Sequence, residues 1–149
     1  MNQTQQLLQT IVENGRMGED ACDQLLSRTK DEQMRNELMQ EKQDYAAAAR
    51  DAETRLCEQG LKPEPKGPMA RMGLWMGMQI NTAMDQTASH IADIVIQGAT
   101  MGVVELTKAR NSFSEADAQA QGIASNLIER QQEAIDRLKA FLSEQVVVK

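Results

Sequence analysis

Apolar residues recur three and four apart along most of the chain, the spacing of one face of an α-helix. Leu8, Ile11, Gly15, Gly18, Cys22 and Leu25 keep this rhythm, and Leu7, Val12 and Leu26 widen the stripe. They predict a first helix from about Thr4 to Arg28. Thr29-Lys30-Asp31-Glu32 then reads as a capping box, with the hydroxyl accepting an orphan N–H and the glutamate reaching back. A second helix is expected from about Lys30 to Gln59, its inner face formed by Met34, Leu38, Glu41, Tyr45, Ala48, Ala52 and Leu56. Gly60 can close it in a left-handed conformation, covered by Leu61. The link between these helices is so short that they must be antiparallel neighbours.

Pro63, Pro65 and Pro68 fall with Gly60 and Gly67 in one stretch. Proline lacks an N–H and clashes with the preceding turn, so helix stops here. Met69 to Met84 is expected as a short crossover helix. Thr87 or Ser89 then caps a longer helix, about Ala88 to Asn111, with Ile91, Ile94, Val95, Gly98, Met101, Gly102, Leu106 and Ala109 as its apolar positions. Ser114-Glu115-Ala116-Asp117 is a second box, opening a last helix that runs to about Gln145. Its seam is Ala124, Leu127, Gln131, Ala134, Leu138 and Phe141. The expected fold is all-α, a ferritin-like four-helix bundle in one domain over 1–149. It comprises an antiparallel hairpin 4–59, a Met-rich crossover 60–86 and a second antiparallel hairpin 88–145.

The halves echo each other. Val12-Glu13-Asn14-Gly15-Arg16-Met17-Gly18 resembles Ile96-Gln97-Gly98-Ala99-Thr100-Met101-Gly102, with one residue inserted. A glycine inside a helix costs about 1 kcal/mol, so these need a reason. Close packing against a bulky partner is one, and room for a ligand is the other. Volume complementarity in cores favours packing.

Asn14-Gly15-Arg16-Met17-Gly18-Glu19, Gly73-Leu74-Trp75-Met76, and Ser89-His90-Ile91-Ala92-Asp93-Ile94-Val95-Ile96-Gln97-Gly98 with Met101-Gly102 also carry a family likeness. Over about Leu7 to Leu142 the chain is similar to uncharacterised bacterial ferritin-like four-helix-bundle proteins of unknown function. The resemblance implies the bundle and brings no reaction with it.

Composition narrows the partners. A net charge of −6 repels phosphate, and 3% aromatic residues leave few faces on which bases stack, so no nucleic-acid partner is expected. No apolar run approaches the roughly 20 residues of a membrane span, and the first residues lack a basic, apolar leader. The expectation is a cytoplasmic protein with no membrane partner. Cys22 and Cys57 match neither a zinc motif nor a C-x-x-C pair and read as packing residues. In the predicted hairpin their levels differ by roughly 30 Å, too far for a disulfide.

Ferritin-like di-metal sites use a Glu on each of two helices and Glu-x-x-His on each of the others. This chain has a single histidine, so two such pairs cannot form. Glu41-Lys42-Gln43-Asp44 and Glu129-Arg130-Gln131-Gln132 stand where the pairs would be sought. Glu19, Glu41, Asp44 and Glu129 are therefore the candidate metal set, with hard oxygens suited to Mg, Ca or Mn. In the competing reading, Glu41 and Gln131 are buried polar residues satisfied by hydrogen bonds. His90, Asp93 and Gln97 make a polar stripe in which Asp93 can accept from His90. No nucleophile in a motif context accompanies the stripe, so no catalytic residue and no cofactor are expected. Met72, Trp75 and Met76 form the candidate association surface. The leading expectation is a non-catalytic bundle acting as a homodimer or through a protein partner. The alternative is a carboxylate-bound metal protein with oxidoreductase or metal-storage activity.

Overall fold

In the computed structural model, which describes residues 1–63 and 87–144, α1 (Gln3–Leu26) and α2 (Glu32–Glu58) form one pair of helices. The second pair is α3 (Ala88–Ser112) and α4 (Ala118–Leu138), and a short 3-10 turn (Lys139–Phe141) follows it. No strand occurs among the described residues, and none of their helices is long and apolar enough to cross a membrane. The expected crossover helix, with Met72, Trp75 and Met76, lies outside the described residues.

Local chemistry sets the helix ends. Asn2 and Gln5 open α1 with reciprocal bonds: Gln5 N donates to Asn2 Oδ1 at 2.8 Å, and Asn2 N donates to Gln5 Oε1 at 3.0 Å. The two predicted capping boxes are corrected, the first by two residues and the second by three. Asp31, not Thr29, caps α2, accepting from Met34 N at 2.8 Å. Thr29 is buried and its hydroxyl donates back to Leu25 O at 2.6 Å, so it closes α1 instead. Asp117, not Ser114, caps α4 through Ala120 N at 2.8 Å. The last helix gives way to the 3-10 turn at Lys139, short of the expected Gln145. Gly60 ends α2 as expected, at φ 75°, with Leu61 N donating to Leu56 O at 3.0 Å.

Side-chain pairs fix the register. Across α1 and α2, Gln5 meets Gln59, Arg16 meets Glu53 at 2.5 Å and Asp23 meets Lys42 at 2.5 Å, so the two run antiparallel. Across α2 and α4, Glu37 meets Arg137, Asp44 meets Arg130 and Arg55 meets Gln119, again antiparallel. Ser89 with Ser143 and Arg110 with Ser125 close α3 on the chain of α4 in the same sense. The start of α1 lies beside the start of α4, where Asp117 N donates to Thr4 Oγ1 at 2.9 Å and Glu115 N to Gln3 Oε1 at 2.7 Å. It follows that α2 ends at one end of the bundle and α3 begins at the other.

Two apolar clusters fill the interior. One joins Leu7, Leu8, Ile11 and Leu56 to Leu106, Ala124 and Leu127. The other joins Leu25, Met34 and Leu38 to Ile91, Val95 and Leu138. Most of the seam positions read from the spacing are buried. Gly18, Ala48, Met101, Ala109 and Phe141 are partly exposed, and Ala49 takes the inner place beside Ala48.

Candidate functional site

Between the two apolar clusters the interior turns polar. Tyr45 Oη donates to Gln131 Oε1 at 2.6 Å, a buried bond that ties the first hairpin to the second. A Cβ added at Gly18 would fall closer than 3.0 Å to the Tyr45 ring. One added at Gly15 would meet Tyr45 O at 2.7 Å and Ala49 Cβ at 2.8 Å. These two glycines therefore serve close approach of α1 to α2, the first of the two reasons open to the sequence.

Next to this contact sits Glu41, 0% exposed, with both carboxylate oxygens lacking a hydrogen-bond partner. Asn14 is 1% exposed, and neither atom of its amide has a partner. Both line a cavity of about 20 Å³ between α1, α2 and α3, shared with Cys22, Tyr45, Val95 and Gly98. That is space for about one water-sized occupant. Burial pushes the Glu41 carboxyl up to about 8, and the charges of Glu37 and Asp44 add to the effect while Arg137 opposes it. Arg137 does not reach Glu41: its guanidinium binds Glu37, with Nη2 at 2.8 Å and Nε at 2.9 Å. Burial likewise raises the Cys22 thiol and the Tyr45 phenol, so both stay neutral at physiological pH.

The expectation for the buried polar pair is half met. Glu41 and Gln131 are both in the core, but hydrogen bonds satisfy only part of the pair. Gln131 Nε2 and both Glu41 oxygens are orphaned.

The four candidate metal ligands are not drawn together. Glu19 accepts from Arg16 Nη1 at 3.0 Å. Asp44 faces Arg130 at 3.6 Å and accepts from Gln40 Nε2 at 3.1 Å. Glu129 is exposed, which leaves Glu41 alone in the interior. Among the described residues no group of three or more His, Cys, Asp or Glu side chains is placed to hold a metal. The polar stripe also differs from expectation: Asp93 accepts from Gln97 Nε2 at 2.9 Å, not from His90. Ser89 is used structurally, accepting from Ser143 N at 2.9 Å. Cys22 is buried, Cys57 is exposed, and both are free thiols.

Asn14 is the interior residue that sequence reasoning passed over. Its signal was present, because Leu7, Ile11, Asn14, Gly18, Ala21 and Leu25 alternate four and three apart and put an amide in the middle of an inner face.

No family model matches the chain, and no curated protein matches it. Among solved structures, the crystal structure of a DUF305 fragment from Deinococcus radiodurans is similar. The TM-score is 0.74 and the identity 16%, covering 94% of this chain and 95% of that one. At this identity the likeness speaks for the all-helical fold and for nothing further.

Proposed function

We propose that the protein is a non-catalytic, ferritin-like helical bundle that acts by association, as a homodimer or with a protein partner. The observation that carries this reading is the closure of the core. The four described helices bury most of one another's apolar positions, and the sequence carries a further apolar set, Met72, Trp75 and Met76, in addition to these. Tryptophan and methionine are enriched at the cores of protein interfaces. The ferritin-like assignment is supported by the helix ends: a chain that leaves α2 at one end and enters α3 at the other has to travel the length of the bundle. Two free thiols are in keeping with a reducing, cytoplasmic compartment. The metal-storage alternative has less support, because Glu19 and Asp44 are engaged by arginines and Glu129 faces water.

Light scattering on the purified chain over a range of concentrations, read alongside Trp75 fluorescence, tests the proposal. The expected result is a dimer that dissociates on dilution, with the indole emission moving to the red as it gains water. Trp75→Ala should shift the equilibrium toward monomer and leave the helical circular dichroism intact. A wild-type chain that stays monomeric at every concentration overturns the homodimer and leaves only the protein-partner reading. A Trp75→Ala variant that remains dimeric but no longer melts cooperatively removes Trp75 from the association surface, since that marks it as core.

A further inference from the structure

We infer that the cavity between Asn14 and Glu41 is a binding site for one small monovalent cation, taken up in exchange for a proton. The argument begins with what is missing around Glu41. A fully buried carboxyl with two orphaned oxygens is among the more costly arrangements in a protein interior. Asn14 adds an orphaned amide oxygen to the same cavity. Tyr45 also lines the cavity, its hydroxyl donated to Gln131. These are hard oxygen donors from two helices around a space of about one water, and hard oxygens select s-block cations.

Charge balance selects among such cations. The groups facing Glu41 are Glu37 and Asp44 on α2, Cys22 on α1 and Arg137 on α4, while α3 brings only Val95, Gly98 and Ala99 to the cavity. Glu37 holds Arg137, and Asp44 faces Arg130. Cys22 and Tyr45 are neutral. The cavity therefore carries the single charge of Glu41 when that group is ionised. One monovalent cation brings the buried sum to zero, whereas a divalent ion leaves an uncompensated positive charge in a medium that solvates charge poorly. When the cation enters, Glu41 gives up its carboxyl proton to solvent and becomes carboxylate, so total charge in the cavity is unchanged. The neutral state with a proton and the neutral state with a cation are alternative ways to satisfy the same acid.

Thermal melts at pH 9 in sodium, potassium or tetramethylammonium chloride, at one ionic strength, test this directly. Tetramethylammonium is too large for the cavity and serves as the reference salt. Sodium or potassium should raise the midpoint by roughly 3–5 °C in a saturable way, and the rise should shrink at pH 6, where the proton competes. Glu41→Gln, which keeps the shape and removes the charge, should melt alike in all three salts. Asn14→Asp gives a second reading should that variant fold poorly: with two carboxylates in the cavity, calcium or magnesium should now stabilise the chain. Identical wild-type melts in the three salts overturn the inference. A salt shift that persists in Glu41→Gln does the same, as does a wild-type response to calcium with none to sodium or potassium.

Discussion

Glu41 is an acid held where water does not reach, and its ionisation is coupled to the folding of the whole chain. In the unfolded chain the carboxyl releases its proton near the ordinary value of 4.5, whereas in the bundle it keeps the proton to about 8. Below pH 4.5 both states are protonated and the interaction is fully present. As pH rises from there, the unfolded state gains by ionising while the folded state cannot, so stability falls until about pH 8 and then levels off. Glu13 acts in the same direction, its carboxyl raised by burial and only partly offset by the bond from Gln9. Denaturant titrations at intervals from pH 5 to pH 9 in tetramethylammonium buffer should show the folding free energy of the wild type dropping by on the order of a few kcal/mol. In Glu41→Gln the slope should be much shallower, leaving the variant the more stable protein at pH 9. A wild type whose stability is flat over this range would place Glu41 in contact with water or with a counter-charge.

At the scale of the helix, the glycines separate into two kinds. Gly15 faces α2, and any side chain there meets Tyr45 O and Ala49 Cβ. Gly122 lies in α4, exposed, with nothing within 4 Å of where a Cβ would stand. Gly122→Ala should gain about 1 kcal/mol from helix propensity alone. Gly15→Ala offers the same intrinsic gain but forces α1 away from α2, so it should lose stability by about 1–3 kcal/mol. Paired urea melts of the two variants check the difference in sign. The inner faces of all four helices were legible in the sequence, because burial imposes the period of 3.6 and the apolar residues record it. The caps of α2 and α4 fall two and three residues later than the predicted boxes place them. Each region offers two cap residues, and the hydroxyl of Thr29 was already committed to the end of α1. The state of Glu41 was not legible at all. Spacing puts it on the inner face, but whether it meets a partner depends on Arg137, ninety-odd residues away, which turns to Glu37 instead. The same limit explains the metal set: periodicity aligned four carboxylates along the helices, while arginines on the surface claimed two of them.

For the molecule as a whole, what matters is how the two hairpins are joined. At the surface the joints between α2 and α4 are polar pairs, Glu37 with Arg137, Asp44 with Arg130 and Arg55 with Gln119. Such exposed pairs are each worth under about 1 kcal/mol. Inside, the same seam carries the Tyr45–Gln131 bond, with the ring lying over Gly18 of α1. Tyr45 is the sole tyrosine in the chain, and its phenol is raised well above 10 because it is buried between the hairpins. The ring therefore doubles as an optical indicator of docking. In an alkaline titration followed by ultraviolet absorbance, the tyrosinate band should stay absent past the point where a free phenol ionises, then appear in one cooperative step as the hairpins part. Tyrosinate that develops gradually around pH 10, with the helical signal unchanged, would mean the phenol is open to solvent and the seam loose. Gln131→Leu should bring that step to lower pH, so a spectrophotometer reading one chromophore can time the separation of the two halves without any added label.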